Sequence, residues 1–344
     1  MATSVKDAEW LAWIERLTVE GRQEVPQLPR SLFYCRLDDQ PDHLVSERSR
    51  TGRWEDPTGR PLLVNPESYF SWRGTSPPAT AALSAFTDRF AKGDIAWTRS
   101  PQTGAWQPFW IGYAFRAMLA DAQPGGAAPR NIPPANLAAF RQADVFLEPE
   151  DPVLRRREWE TAVSHGGSEF RKHGYAPVAG LIHPFHLGAL RRYYRQQIRV
   201  GKLSLGDNQS RQRFIVHNES IARFFHHQLT PAVSALVGEP VKPSYVYLAS
   251  YQPGADLPKH TDRDQCEFSL TLCLDYSPEP YRQTPWPLRL HTPSGMVTVY
   301  QALGDSLLYR GCELPHSRDN LAEGHTSTSI FFHYVHESFT GPLD

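Results

Sequence analysis

The residues best suited to chemistry in this chain are Lys259-His260-Thr261-Asp262. In an extended strand, residues i and i+2 project to one face, so an imidazole and a carboxylate at that spacing can reach one ion. The spacing alone is weak: with 14 His and 37 acids in 344 residues, about 1.5 His-x-Asp/Glu pairs arise by chance. A second such pair, His217-Asn218-Glu219, sits where a helix begins. There Asn218 reads as the N-cap and Glu219 as a first-turn acid, a structural assignment. Context separates the first pair from the second. Gly304 to Gly311 reads as a strand and turn that delivers Glu313-Leu314-Pro315-His316-Ser317-Arg318, and a last strand runs from His325 to Val335. A third ligand from a neighbouring strand would complete a two-His-one-carboxylate set with one face of the metal open. Such N/O donors with open positions suit non-haem Fe(II), which needs room for a co-substrate and O2. Zinc is the competing ion, but the helical His-Glu-x-x-His signature of many zinc enzymes is absent.

The elements that must hold these residues change character along the chain. From Ser244 the period is two: Tyr245, Tyr247, Ala249 and Tyr251 alternate with Val246, Leu248 and Ser250. Further strands are expected at 267–274, 287–291, 296–301, 305–309 and 326–335, with turns at Pro278-Glu279-Pro280, Pro293-Ser294-Gly295 and Gly304-Asp305. Two helices precede them. One carries Phe185, Leu187, Leu190, Tyr194 and Ile198; the other carries Ile221, Phe225, Leu229 and Leu236 and is stopped by Gly238. Helices followed by at least six short strands predict an α+β chain built on an antiparallel barrel or jelly roll.

The first half says less. Helices are expected near Ser4–Gly21, at Ala79–Lys92, Leu137–Ala143 and Val153–Ser164, separated by Pro/Gly/Trp-rich segments. Ser164-His165-Gly166-Gly167 reads as a linker, dividing a mainly helical or irregular extension, 1–165, from a second domain, 166–344. Arg191-Arg192-Tyr193-Tyr194-Arg195 and Arg155-Arg156-Arg157 read as solvated helix faces.

Composition narrows the function. A net charge of -1 and a pI near 6.9 argue against a surface built for phosphate backbones. No run approaches the ~20 apolar residues of a membrane span. The start, MATSVKDAEWLAWIERL, lacks a cleavage pattern, so a cytoplasmic protein is expected. Cys35, Cys266, Cys273 and Cys312 have no C-x-x-C spacing, and Cys266 and Cys273 read as small buried apolar residues.

From about Gly174 to Val335 the chain resembles the 2-oxoglutarate- and Fe(II)-dependent oxygenase superfamily. The segments that carry the resemblance are Tyr251-Gln252-Pro253-Gly254, His260-Thr261-Asp262, the strand Phe268 to Asp275, Tyr309 to Arg318 with His316, and the closing Phe332-His333-Tyr334. The last parts resemble a bacterial and phage-borne branch with affinities to prolyl-hydroxylase-like and phytanoyl-type enzymes. The resemblance implies a double-stranded β-helix, a jelly-roll or cupin-like core braced by helices. It implies His260, Asp262 and His316 as iron ligands, with 2-oxoglutarate and O2 as co-substrates. Tyr251 matches a tyrosine lining the co-substrate pocket.

The co-substrate's distal carboxylate needs a fixed cation, best the fork of an arginine. Prolyl-hydroxylase-like relatives place it nine or ten residues after the distal His, where this chain has His325 and Thr326. Arg318 is the first substitute, His325 with Ser327 and Ser329 the second, Arg289 the third. The implied activity is hydroxylation of a C–H bond with release of succinate and CO2. Asp262 fills a position that halogenating relatives leave to a small residue. An amino acid, peptide or related small molecule is the expected substrate, with no nucleic-acid or membrane partner. The 1–165 extension would shape or cover the substrate entrance or form a dimer contact. The rival readings are a cupin-like metal protein without redox chemistry, a non-catalytic barrel that binds a ligand, and a nucleic-acid-demethylating oxygenase, which the neutral charge disfavours.

Overall fold

The computed structural model describes residues 62–73, 95–110, 116–130 and 132–344. In chain order the first elements are β1 (Leu63–Val64), β2 (Ser68–Phe70), β3 (Ile95–Arg99), β4 (Trp106–Trp110), α1 (Pro134–Gln142) and β5 (Phe146–Leu147). Next come α2 (Asp151–His173), β6 (Tyr175–Val178), α3 (Pro184–Arg199), β7 (Ser204–Leu205), β8 (Arg213–His217) and α4 (Ser220–Val237). The remainder is all strand: β9 (Val241–Tyr251), β10 (Leu257–His260), β11 (Phe268–Ser277), β12 (Leu288–Thr292), β13 (Gly295–Val299), β14 (Ser306–Arg310), β15 (His316–Arg318) and β16 (Thr326–His336).

The alternation in Phe268-Ser269-Leu270-Thr271-Leu272-Cys273-Leu274 organises the molecule. Every residue of that run is buried, so the polar positions are not facing water. Leu270, Leu272 and Leu274 join one core with Ile330, Phe332, Val246 and Leu248, and with Phe225, Leu229 and Leu236 of α4. Ser269, Thr271 and Cys273 take the other face, opposite His333, Phe331 and Ser329 on β16. Phe331 and Ser329 in turn face Tyr247 and Ala249 on β9. One face of the sheet is thus aliphatic and covered by helices. The other carries hydroxyls, imidazole and tyrosines and looks into the barrel.

That sheet has seven strands in the order β6-β14-β11-β16-β9-β8-β7, and a second has four, β10-β15-β12-β13. Every pairing within them is antiparallel. From β9 to β16 the chain shuttles between the two sheets, β12 and β13 lying together in the smaller one. This winding is a jelly roll, the double-stranded β-helix that the resemblance implies.

Several expectations need correction. The Ser164–Gly167 linker is helix: α2 runs through it, with Gly166 and Gly167 buried. A Cβ at Gly166 would lie 3.0 Å from Leu236 Cδ2, and one at Gly167 3.1 Å from the Leu236 carbonyl. These glycines let α2 approach α4 closely; they do not confer flexibility. The cap of α4 is Glu219, whose carboxylate accepts from Ile221 N at 2.9 Å and Ala222 N at 3.1 Å. Asn218, at φ 50°, instead continues the bonding to β9: its N–H donates to Val246 O, and Val246 N donates to its Oδ1. Asn tolerates this left-handed backbone better than most residues. Arg191 and Arg192 are buried, not solvated. Arg191 Nε and Arg195 Nε hold Asp275 at 2.9 and 2.5 Å, at the end of β11. Arg156 and Arg157 are exposed, while Arg155 turns in to Asp144.

The described part of 1–165 carries short strands beside its helices. It holds the three-stranded sheet β2-β3-β4, the β1/β5 pair, α1 and the start of α2. Phe70, Ala96, Phe109, Phe140 and Phe146 form its core. Strands of two to five residues are too short to show a period. The helices expected near Ser4–Gly21 and at Ala79–Lys92 lie outside the described residues, as does Cys35. Among the described residues no helix is long and apolar enough to cross a membrane.

Candidate metal centre

Two very short strands bring the ligands together. β10 ends at His260 and β15 begins at His316, and the two residues face each other in register. Asp262 follows in a loop whose position is set by its own N–H donating to Gly311 O at 2.9 Å. The result is a cluster: one ligand atom from each of His260, Asp262 and His316 lies within 4.8 Å of the others. His260 Nε2 is 3.7 Å and His316 Nε2 3.5 Å from Asp262 Oδ1.

The atoms not aimed at this point are held elsewhere. His260 Nδ1 lies 2.8 Å from Pro258 O, and His316 Nδ1 3.1 Å from Leu314 O. A carbonyl oxygen can only accept, so both Nδ1 atoms carry a proton and each ring turns its Nε2 toward Asp262, with Tyr309 Oη 3.4 Å from that of His316. Ser269 Oγ donates to Asp262 Oδ2 at 2.6 Å, and His333 Nδ1 lies 3.0 Å from Ser269 Oγ. Since Ser269 has spent its one proton on Asp262, His333 donates to it. Burial lowers the His316 pKa and takes that of His333 down to about 4, so both are neutral imidazoles at pH 7. Two imidazole nitrogens and one carboxylate oxygen converging on one point fit a divalent cation of borderline softness.

Gly311 closes the back of the cluster. A Cβ there would come within 2.5 Å of Asp262 Oδ2, 2.5 Å of Cys266 O and 2.6 Å of Ser269 Oγ. Only glycine fits, a requirement of close approach and not of unusual dihedrals. Cys266 and Cys273 are buried, as expected, with thiol pKa values pushed by burial to about 12. Asp262, Cys266 and His333 form a second convergent group that shares Asp262 with the first.

The cluster opens into a cavity of about 360 Å³, lined by Tyr245, Tyr247, Tyr251, Tyr309, Phe331 and His333 together with the three candidate ligands. Tyr251 is fully buried on this wall. Arg318 lies deeper, 5% exposed. Its guanidinium carbon sits 4.6 Å over the Trp286 ring, which meets the Tyr251 ring at 5.0 Å. Its Nη1 donates to Trp286 O at 2.8 Å and its Nη2 to Gln301 Oε1 at 3.4 Å, while Nε has no partner. Among the described residues no carboxylate pairs with it. Burial accordingly lowers its pKa.

The other candidates have different surroundings. Ser327 is buried beside Tyr251 and Tyr276. Ser329 Oγ is buried with no partner. His325 Nδ1 is 2.8 Å from Tyr276 Oη. Arg289 forms an ion pair with Asp319 near the surface. Sequence reasoning missed Ser269, Gly311, His333 and Trp286, and also Arg213, whose Nη1 donates to Tyr251 Oη at 3.0 Å. The polar alternation in β11 was the one available signal for Ser269. The pair set aside as structural splits: Glu219 caps its helix, but His217 lines the cavity.

No protein-family model and no curated protein matches the sequence. Solved structures do resemble it. A Pseudomonas putida prolyl-4-hydroxylase is 18% identical, over 50% of this chain and 98% of its own, at TM-score 0.41. The α-ketoglutarate-dependent epimerase SnoN from nogalamycin biosynthesis is 15% identical, over 51% of this chain and 83% of its own, at 0.43. HygX from Streptomyces hygroscopicus, solved with nickel, 2-oxoglutarate and hygromycin B, is 12% identical, over 51% and 88%, at 0.41.

Proposed function

We propose that this chain is an Fe(II)- and 2-oxoglutarate-dependent oxygenase that hydroxylates a C–H bond of an amino acid, peptide or related small molecule. The observation that carries the reading is Arg318, a buried arginine with no carboxylate partner among the described residues, two residues beyond His316 and inside the same barrel. A buried cation without a counter-ion is costly, and fold stability alone does not account for it. A ligand carboxylate would supply the missing charge.

His260, Asp262 and His316 would hold the metal, which when loaded supplies the activation of O2 that couples decarboxylation of 2-oxoglutarate to substrate oxidation. One oxygen atom enters succinate and the other the product alcohol, with CO2 released. The protein's own part is positioning. Pro258 O and Leu314 O fix the two imidazoles, and Ser269 holds one oxygen of the Asp262 carboxylate, leaving the other to a metal. Arg318 would pair its Nε and one Nη with the distal carboxylate, Tyr251 and Trp286 forming the adjoining wall. Asp262 occupies the site a halide would need, which favours hydroxylation.

The test is anaerobic addition of Fe(II) and 2-oxoglutarate, read as the weak visible charge-transfer band of the chelate. A band that disappears in His316→Ala and needs far more 2-oxoglutarate in Arg318→Ala is the expected result. Stoichiometric iron without a band would favour a cupin-like protein. No metal binding would sink the enzyme reading.

A further inference from the structure

His217, on the cavity lining, is already in contact with a carboxylate. Asp344 Oδ1 lies 3.3 Å from His217 Nδ1, and Asn218 Nδ2 donates to Asp344 Oδ2 at 3.0 Å. The side chains of His217 and Asp344 are 40% and 65% exposed. Arg263, directly after Asp262, stands on the same rim with its guanidinium carbon 4.9 Å over the Tyr245 ring. The His217 ring packs on that same tyrosine, centroids 4.8 Å apart. Arg263 hydrogen-bonds Tyr245 and lies in the field of Asp344, but among the described residues no carboxylate is at ion-pair distance from it, whereas the cavity's other arginine, Arg213, is committed to Asp207. Inward from the rim the wall is aromatic, Tyr245, Tyr247 and Phe331, and it leads to the candidate ligands.

These features describe a receptor for a particular shape of molecule: anionic at the outer end, flat or apolar along its body. Three donors at the rim can bind a carboxylate with charge-assisted hydrogen bonds. The rings beneath them offer stacking area to an apolar body. Arg263 and Asp262 are consecutive, about 3.8 Å apart at Cα, and both line the cavity, so a molecule held by Arg263 lies beside the cluster.

We propose that the cavity takes a small-molecule carboxylate with an aromatic or flat apolar body, its carboxylate displacing Asp344 onto Arg263, His217 and Asn218. The proposal rests on the oxygenase reading for the fate of the bound molecule, but not for the binding itself. Asp344 is then a built-in competitor that holds the rim when no substrate is present.

Calorimetric titration of the metal-free full chain tests this, with N-acetylphenylalanine as the probe and its neutral amide as the control. The acid should bind about 10-fold more tightly than the amide, the scale of one charge-assisted hydrogen bond. Arg263→Gln and His217→Gln should erase that preference; Arg263 and His217 are exposed, and unchanged thermal unfolding will show that both variants fold. Asp344→Asn should tighten the acid roughly threefold and leave the amide alone, as removal of a weak surface contact would. Equal binding of acid and amide, or no binding of either, overturns the proposal. So does a preference that survives Arg263→Gln and is lost in Arg318→Met, which would put the carboxylate in the deep site. The charge-transfer band separates the two readings. A band without acid preference removes the rim alone, and a preference without a band removes the oxygenase.

Discussion

Two buried arginines stand in the same barrel, and the regions around them are built in opposite ways. Near the mouth, Arg213 is 3% exposed and fully engaged. Its Nε and Nη2 donate to Asp207 Oδ2 at 2.9 and 2.5 Å, its Nη2 also to Gln209, and its Nη1 to Tyr251. Asp207 in turn accepts from Tyr247 Oη and from two backbone N–H groups. Burial disfavours the Arg213 charge, yet its pKa is raised, because Tyr251, Tyr247 and Asp207 more than compensate. Deeper in, Arg318 has one strong hydrogen bond, one long one and a bare Nε. The first arginine ties a loop to a sheet and is complete. The second is incomplete, and incompleteness in a buried charge is what marks a place for a ligand.

The comparison predicts that the two arginines will fail differently. Arg318→Met should weaken 2-oxoglutarate binding by about 100-fold or more, since losing one partner of a buried charge pair costs roughly 2–5 kcal/mol. Its urea midpoint should stay level or rise, because an uncompensated charge is replaced by an apolar chain of similar length. Arg213→Met should do the reverse. It leaves Asp207, Gln209 and Tyr251 without their donor and should cost about 3 kcal/mol in urea unfolding, the low end for a broken buried pair because Asp207 is partly exposed. If Arg318→Met is the more destabilised of the two, the contrast is wrong.

Gly311→Ala sharpens the picture at the cluster itself. The added methyl has no space between Asp262, Cys266 and Ser269, so a loss of about 2 kcal/mol in stability is expected. Metal affinity by competition with a chelator should fall with it. Acid acts on a different region. His186 and His226 are buried and His183 partly so, and desolvation lowers each pKa to about 3. Below the unfolded value of 6.5 the unfolded chain takes up protons that the folded one refuses. Stability is therefore complete above that value and falls as pH drops toward 3, by about 1.4 kcal/mol per pH unit per histidine. Melting temperature between pH 7 and pH 4.5 checks the sign: a flat profile would mean these histidines open to water. The smallest effect belongs to the surface pair. Arg289→Gln, which breaks only the contact with Asp319, should change stability by less than about 0.5 kcal/mol and leave co-substrate binding alone.

Much of the barrel was legible because its physical cause is local. A strand buried on both faces but with unlike partners writes its two environments as alternation, and β9, β11 and β16 show it. His260 and Asp262 were legible for a similar reason, being two residues apart on an extended backbone. α2 was misread because Gly166 and Gly167 look like punctuation, when their lack of side chain serves a helix contact with Leu236, 70 positions away. Arg191 was misread because nothing near it announces Asp275, its partner across 84 residues. His217 was dismissed with its neighbour Glu219, although only one of the two serves the helix.

The sequence by itself determined the period of the strands, the helices that flank them and the chemical kinds of side chain on offer, since each follows from dihedral preference and spacing within a few residues. Tertiary structure alone decided which polar groups meet. The closure of β10 on β15, the Ser269 bond to Asp262, the crowding around Gly311 and the difference between a satisfied Arg213 and an unsatisfied Arg318 all depend on groups far apart in the chain. Electrostatics and close packing act through space, and no spacing along the sequence records them.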